Sequence, residues 1–180
     1  NTGQKTEYTG YGMSQIYLSL GTNLGDRPAN LQKALSGLQS GVAFTAVSAV
    51  YETEPWGVAD QPAFLNICAA GTTALTPFEL LQVCKSVETQ VGRRPTYKWG
   101  PRLIDIDILF YDDLILDEDT LIIPHPFVEE RAFVLAPLAD IAPDFVHPQT
   151  GETVVQMLAQ VYTTAVHRLS RQPLLLEVGD

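Results

Sequence analysis

The sequence predicts an α+β fold in which two helices cover one face of an antiparallel sheet. The first observation is the order of the elements, which is β-α-β-β-α-β before a hairpin and further helices. The second is a capping box, TPFE at residues 76–79, with a proline at the first helical position. The third is the alternation of apolar and other side chains over residues 103–110, which is typical of a strand.

The first half of the chain supplies three strands and one helix. Residues 14–20 alternate and are rich in strand-forming residues, and GTNLGD, which follows, predicts a turn. Apolar residues at helical spacing predict a helix over 28–38. Residues 43–53 and 64–73 predict the second and third strands, with a proline-containing loop between them.

The second half supplies the second helix and the fourth strand. The apolar stripe after the capping box ends at Gly92, which predicts a helix stop. The fourth strand is predicted at 103–111, followed by a tight turn at Asp112-Asp113 into a short hairpin partner at 114–116. An extended segment at 122–126 and helices near 129–138 and 153–161 complete the prediction, and residues 173–178 are either an edge strand or a tail.

Length and composition indicate one compact domain. The chain has 180 residues, 46% of them hydrophobic, which is enough for a core. Residues 1–12 are polar and aperiodic, and we interpret them as an expression remnant or a disordered extension before a single domain at 13–180. Cys68 and Cys84 lie in apolar patterns, which predicts buried free thiols. With no signal peptide or transmembrane pattern, we expect a cytoplasmic protein that does not bind membranes.

The distribution of charge indicates a phosphate-binding site. A net charge of −10 argues against nucleic-acid binding. Nevertheless, four of the eleven basic residues lie within ten positions, namely Arg93, Arg94, Lys98 and Arg102, and seven of the twenty-one acids follow between 105 and 119. A basic loop that leads into an acidic strand suggests a polyphosphate clamp. The alternative interpretation is an ordinary solvated loop.

Two aspartates on the fourth strand are the candidate metal ligands. Asp105 and Asp107 share one face of the strand, about 7 Å apart, because side chains alternate with a period of two. Neighbouring carboxylates repel each other, and a shared Mg²⁺ removes that cost. The alternative is a solvated face that carries two acids. The opposite face is expected to pack under the helices and carries Ile104, Ile106, Ile108 and Phe110.

Several blocks of the sequence, in order, resemble one known family. The blocks are LGTNLGD at 20–26, YETEPWG at 51–57, DQPAFLN at 60–66, GR at 92–93, WGPRLIDID at 99–107 and PHP at 124–126. Together they are similar to 6-hydroxymethyl-7,8-dihydropterin pyrophosphokinase of folate biosynthesis. The resemblance implies a ferredoxin-like α+β fold, in agreement with the element order. It also implies transfer of pyrophosphate from ATP to the pterin hydroxymethyl group, giving the pterin diphosphate and AMP.

The resemblance also implies roles for individual residues. Asp105 and Asp107 would hold two Mg²⁺ ions and would act in catalysis with Arg93 and Arg102. The residues implied to contact ATP are Glu88, Arg93, Trp99, Arg102, Ile108, His125 and Arg131. Those implied to form the pterin pocket are Thr53, Trp56, Phe64, Asn66 and Phe133. We place Glu88 on the exposed side of the second helix. Phe64 stands where a tyrosine is familiar in the family, which keeps an aromatic face and removes a hydroxyl.

Other classes of protein share part of this sequence pattern. A different Mg²⁺-dependent nucleotidyl- or phosphotransferase would share the paired aspartates but would lack the aromatic pterin pair. A noncatalytic binding module would need neither the aspartates nor the arginine cluster. A Walker A kinase is excluded because the sequence has no G-x-x-x-x-G-K-[ST] motif. We expect the partners to be the two small-molecule substrates, and we expect a monomer.

Overall fold

The computed structural model describes residues 12–54, 62–92 and 103–169. In chain order its elements are β1 (Ser14–Thr22), α1 (Arg27–Leu38), β2 (Ala43–Val47), β3 (Tyr51–Thr53), β4 (Phe64–Thr73), α2 (Pro77–Val91), β5 (Asp105–Tyr111), β6 (Leu116–Glu118), β7 (Leu121–Ile123), a 3₁₀ turn (Val128–Glu130), α3 (Ala132–Ile141), α4 (Val154–Leu158) and β8 (Val166–Arg168). In these ranges no helix combines the length and the apolar composition needed to cross a membrane.

The main sheet confirms the predicted fold class. Its described strands pair in the order β5-β1-β4-β3-β8, with β2 also on β4, and every pairing is antiparallel. Helices α1 and α2 cover one face, where their apolar stripes join the strand side chains in a single core cluster. A second cluster lies on the other face, where α3 and α4 pack over part of the sheet. The rest of that second face is open.

Helix boundaries follow the local sequence signals. Asp26 is the N-cap of α1, and its side chain accepts a hydrogen bond from Ala29 N at 3.1 Å. Thr76 and Glu79 form the predicted capping box of α2, which satisfies two backbone N–H groups that the helix cannot pair internally. Gly92 ends α2 with a φ of 112°, a left-handed conformation that glycine adopts without steric cost.

The predicted second strand, 43–53, is divided in two by Ser48. Its hydroxyl accepts a hydrogen bond from Cys68 N at 2.9 Å and donates to Ala49 O at 2.8 Å, so a side chain replaces part of the regular backbone ladder. Strands β2 and β3 therefore lie one after the other along the same edge of β4. The overall plan is unchanged, because both pieces occupy the place expected for one strand.

A β-bulge makes the expectation for Phe110 wrong. Leu18 pairs with Ile108 and Tyr17 pairs with Phe110, so Leu109 is an extra residue on β5. The inserted residue shifts the alternation, and Phe110 packs in the core under α3 and α4 instead of under α1 and α2. Ile104, Ile106 and Ile108 lie in the α1–α2 core as expected.

The later part of the chain differs from prediction in two further places. The segment 114–116 does not pair with the fourth strand, since β6 pairs with β7 in a separate two-stranded sheet. Strand β8, which was not predicted, adds to the edge of β3. The segment 173–178 lies outside the described residues. Cys68 and Cys84 are both free and buried, as predicted.

We predict that Thr76→Ala lowers the free energy of unfolding by about 1 kcal/mol, because it removes the cap of α2. The control is Thr89→Ala on the same helix, where the exposed hydroxyl donates only to Lys85 O. That change should be neutral or slightly stabilising, since alanine has the higher helix propensity. Urea unfolding of the two variants measures both values. Equal stability of the Thr76→Ala variant and the unaltered protein would contradict the cap assignment.

Candidate active site

The open part of the second sheet face forms the floor of a cleft. Gly21 on the central strand β1 pairs with Asn66 of β4 on one side and with Asp105 of β5 on the other. The next row on this face has Ser19 in the centre, between Cys68 and Asp107. Directly paired residues share a face, so an amide and two carboxylates lie on neighbouring strands above one surface.

Asp105 and Asp107 line this cleft rather than packing under helices. Both are half-exposed, and the side chain of Asp107 is 43% exposed, so the pair remains hydrated. Both act on the guanidinium of Arg131. Burial lowers the pKa of Arg131, and the negative charges of Asp107, Asp105 and Glu130 oppose this change without reversing it. The two aspartates thus share one face and one cleft, as the alternation predicted.

The carboxylate pair fits a magnesium ion by its donor chemistry. Mg²⁺ prefers oxygen ligands and keeps several waters, so that one or two protein carboxylates are sufficient. Within the parts of the chain that the structure describes, no group of three or more His, Cys, Asp or Glu side chains is arranged to hold a metal. A metal site here would therefore depend on Asp105 and Asp107 with oxygens of a substrate and of water.

His125 follows β7 and lies on the side of the cleft that holds Asp105 and Asp107, which we call the carboxylate side. Its backbone N donates to Leu109 O at 3.0 Å, which fixes this segment to β5. Its Nδ1 accepts from Phe127 N at 3.2 Å, so the neutral ring carries its proton on Nε2, which lies 3.9 Å from Asp107 Oδ1. The pKa of His125 is lowered, mainly by burial. The negative charge of Asp107 opposes this shift, and the positive charge of Arg131 adds to it.

Arg131 is the N-cap of α3, and its guanidinium lies close to two aromatic rings. Its Cζ is 4.9 Å from the ring centre of Phe127 and 5.6 Å from that of Phe133. Both distances are within the range of a cation–π interaction. Arg131 therefore brings a cationic group, in contact with two aromatic rings, close to the two aspartates.

A buried hydrogen bond organises the other side of the cleft. Asn66 Nδ2 donates to Thr53 Oγ1 at 2.8 Å, and both residues are buried. A Cβ at Gly21 would lie 2.8 Å from Asn66 Oδ1, so the missing side chain makes room for this amide. Phe64, two residues before Asn66 on β4, is half-buried and lines the same region. The result is a polar edge beside an aromatic face.

Glu88 is buried, which corrects its expected place on the exposed side of the helix. It is 4% exposed, and its Oε2 accepts a hydrogen bond from Ile106 N at 3.2 Å. This contact satisfies a backbone donor on the edge strand β5, which has no further strand beside it in the described part of the sheet. Glu88 nevertheless lines the cleft, as does Ile108.

One cleft of about 1220 Å³ brings together all the predicted site residues that the structure describes. They are Thr53, Phe64, Asn66, Glu88, Asp105, Asp107, Ile108, His125, Arg131 and Phe133. The predicted residues Trp56, Arg93, Trp99 and Arg102 lie outside the described residues.

Among the cleft-lining residues that the sequence did not assign to the site are Ser19, Gly21 and Phe127. We expected Gly21 to begin a turn, but β1 continues through it to Thr22. An isolated glycine at the end of a strand pattern is a usable signal, because it often marks a close approach of neighbouring groups. Phe127 gave no usable signal, because it precedes the helix predicted at 129–138, so its four-residue separation from Arg131 did not indicate a contact.

The fold and the cleft define the class of protein: a ferredoxin-like α+β domain with two carboxylates, an arginine and an aromatic pair around one deep cleft. The chain belongs to the 7,8-dihydro-6-hydroxymethylpterin-pyrophosphokinase (HPPK) family, whose model matches residues 17–143.

Individual proteins similar to this chain support its membership of this family. The chain is 47% identical over 159 residues to the 2-amino-4-hydroxy-6-hydroxymethyldihydropteridine pyrophosphokinase of Methylorubrum extorquens, covering 87% of this chain and 99% of the relative. It is 45% identical over 136 residues to the enzyme of the same name from Aquifex aeolicus, covering 76% and 85% respectively.

A solved structure supports the fold independently. The wild-type HPPK-DHPS of Plasmodium falciparum, crystallised with SDX-DHP, superimposes with a TM-score of 0.64 at 18% identity. The match covers 82% of this chain and 43% of that one, so this chain spans less than half of the solved protein.

We predict that Thr53→Val lowers the free energy of unfolding by about 1 kcal/mol, because Asn66 Nδ2 loses its buried acceptor. The matched control is Thr45→Val on the exposed part of β2, where the hydroxyl makes a 3.3 Å hydrogen bond to Ala70 O. The control should change stability by less than about 0.5 kcal/mol. Both values come from urea unfolding, and equal losses in the two variants would contradict the role of Thr53.

Proposed function

We propose that this chain transfers the pyrophosphoryl group of ATP to the hydroxymethyl group of 6-hydroxymethyl-7,8-dihydropterin, giving the pterin diphosphate and AMP in folate biosynthesis. The observation that carries the proposal is the row across the cleft floor, in which Gly21 separates Asn66 from Asp105. A heterocycle held at the Asn66 side would present its alcohol toward the carboxylate side. Membership of the family supports the same reaction.

The reaction forms one bond and breaks one bond. The pterin hydroxyl oxygen attacks the β-phosphorus of ATP, and the bond between the β-phosphorus and the oxygen bridging to the α-phosphorus breaks. AMP leaves with that oxygen, and the hydroxyl proton passes to solvent. Transfers of this kind depend mainly on alignment and on neutralising the charge of the phosphate oxygens. The cleft supplies both requirements without a covalent intermediate.

Asp105 and Asp107 are proposed to hold two Mg²⁺ ions, which would neutralise the triphosphate and lower the pKa of the attacking hydroxyl. The contribution of the protein is to place both carboxylates on one solvent-accessible face of β5. Arg131, close to them, provides a fixed positive charge for phosphate oxygens. The Nε2–H group of His125 provides a further donor beside Asp107.

The pterin side of the proposal rests on shape and hydrogen bonding. A flat polar heterocycle needs aromatic faces and groups that both donate and accept. Phe64 and Phe133 line the cleft and supply the faces, and Asn66 supplies an amide whose orientation Thr53 fixes. By resemblance, Trp56 completes this pocket, and Arg93, Trp99 and Arg102 contact the phosphates. We also propose one domain over 13–180, acting as a cytoplasmic monomer.

The test of the proposed function is direct. The protein is mixed with ATP, Mg²⁺ and 6-hydroxymethyl-7,8-dihydropterin, and the nucleotide product is identified by chromatography. Formation of AMP together with the pterin diphosphate is expected. Formation of ADP would indicate transfer of a single phosphoryl group and would contradict the proposed reaction.

We predict that Asp107→Asn lowers turnover by more than about a hundredfold, because an amide is a poorer ligand and carries no charge. Stability should stay within about 0.5 kcal/mol, since the side chain is half-exposed and its removal relieves like-charge repulsion. AMP formation and urea unfolding measure the two effects. The control is Asp117→Asn on the exposed β6, which should leave turnover unchanged. Near-normal AMP formation by the Asp107 variant would contradict the proposed metal role.

We predict that Phe64→Ala weakens pterin binding by roughly tenfold, because stacking of a base on an aromatic ring contributes about 1–3 kcal/mol. ATP binding should change by less than about twofold, since Phe64 lies on the Asn66 side of the cleft. Phe64→Tyr, which keeps the ring, is the control and should bind pterin normally. Calorimetry with each ligand separates these results. Equal loss of both ligands would show that Phe64 supports the fold rather than the pterin.

A further inference from the structure

Phe127 is a large aromatic side chain that the core does not use. It is 44% exposed and belongs to neither core cluster of the described residues, yet it lines the cleft. It lies in the segment between β7 and the 3₁₀ turn. Its exposed ring is therefore not explained by burial of apolar surface.

The contacts of Phe127 are with two groups at the carboxylate side of the cleft. The face of its ring covers the guanidinium of Arg131, with Cζ 4.9 Å from the ring centre. Its backbone N donates to Nδ1 of His125 at 3.2 Å. One residue thus holds an arginine by its side chain and sets the tautomer of a histidine by its backbone.

Such a support restrains a guanidinium that several carboxylates attract. Asp107, Asp105 and Glu130 all attract Arg131. A long arginine side chain also loses much rotamer freedom when it is fixed. Contacts with the rings of Phe127 and Phe133 restrain the position of the Arg131 guanidinium before any ligand binds. Preorganisation of this kind strengthens binding, because less entropy is lost when the ligand is bound.

We propose that Phe127 is a positioning residue for the nucleotide: its ring face orients Arg131, and its backbone N–H orients His125, toward the phosphate chain of ATP. The inference rests on the proposed function only for the statement that this side of the cleft binds ATP. It assigns to Phe127 no contact with the reacting atoms. A π face is required in this role, and apolar bulk alone is not sufficient.

Three variants of Phe127 separate the ring face from apolar bulk. Phe127→Tyr keeps the ring, Phe127→Leu keeps apolar volume without a π face, and Phe127→Ala removes both. All three keep the backbone N–H that His125 accepts. Phe78→Ala is the matched control, because Phe78 is also 44% exposed but lies on α2 and does not line the cleft.

The measurements are the Kd of a nonhydrolysable ATP analogue with Mg²⁺, by calorimetry, and the KM for ATP and for the pterin. We expect Phe127→Leu and Phe127→Ala to weaken nucleotide binding by roughly five- to tenfold, the effect of one partly desolvated cation–π contact. Phe127→Tyr and Phe78→Ala should stay within about twofold of the unaltered protein. The KM for the pterin should also stay within about twofold, which a general structural defect would not allow.

Three outcomes would overturn the inference. The first is normal nucleotide affinity in the Phe127→Leu variant, which would show that apolar volume at this position is sufficient. The second is an equal loss in the Phe78→Ala control, and the third is an unaltered protein that does not bind the nucleotide. A protein that binds the ATP analogue in a Phe127-dependent way but forms no pterin diphosphate would overturn the proposed function and support the role of Phe127. Thermal unfolding of each variant confirms that the comparison is made between folded proteins.

Discussion

The structure depends on keeping two like charges side by side on one strand. Asp105 and Asp107 repel each other, and a strand with this pattern is acceptable only where water, a cation or a positive side chain can reach both carboxylates. The fold meets this requirement by leaving part of the second sheet face open. Arg131 supplies the nearby positive charge. The neighbouring groups of the cleft follow from this arrangement, because they must lie around the same open surface.

The two sides of the cleft are held by different kinds of interaction. On one side, the Asn66–Thr53 hydrogen bond is buried and directional, and Gly21 leaves the space that the amide occupies. On the other side, charge and aromatic faces hold Arg131 and His125, which remain partly accessible. A rigid polar edge suits a ligand with a fixed hydrogen-bonding pattern. Charge with an aromatic support suits a flexible polyanion.

Local signals in the sequence predicted the parts of the fold that depend on neighbouring residues. The bounds of β4 and the caps of α2 agree with prediction because proline, glycine and the capping box act within one turn. Two errors, at Phe110 and at Glu88, have a common cause. The position of Phe110 depends on pairing with β1, and the burial of Glu88 depends on an N–H group of β5, so neither could be read from its own segment. The site residues were predicted by resemblance and by residue type, whereas Phe127 lies outside the predicted helix, and its contacts with Arg131 and His125 depend on the turn between β7 and α3.

The extra residue Leu109 shows how one irregularity can determine both a core and a site. Because Leu109 is inserted opposite Tyr17 and Leu18, β5 turns Phe110 into the core under α3 and α4 while Asp105 and Asp107 remain over the cleft. Its carbonyl also accepts the hydrogen bond from His125 N, which places the histidine segment beside the aspartates. A strand with uninterrupted alternation would send Phe110 to the opposite face and leave a cavity under α3. The bulge is therefore the point at which the packing of α3 and the geometry of the carboxylate side are fixed together.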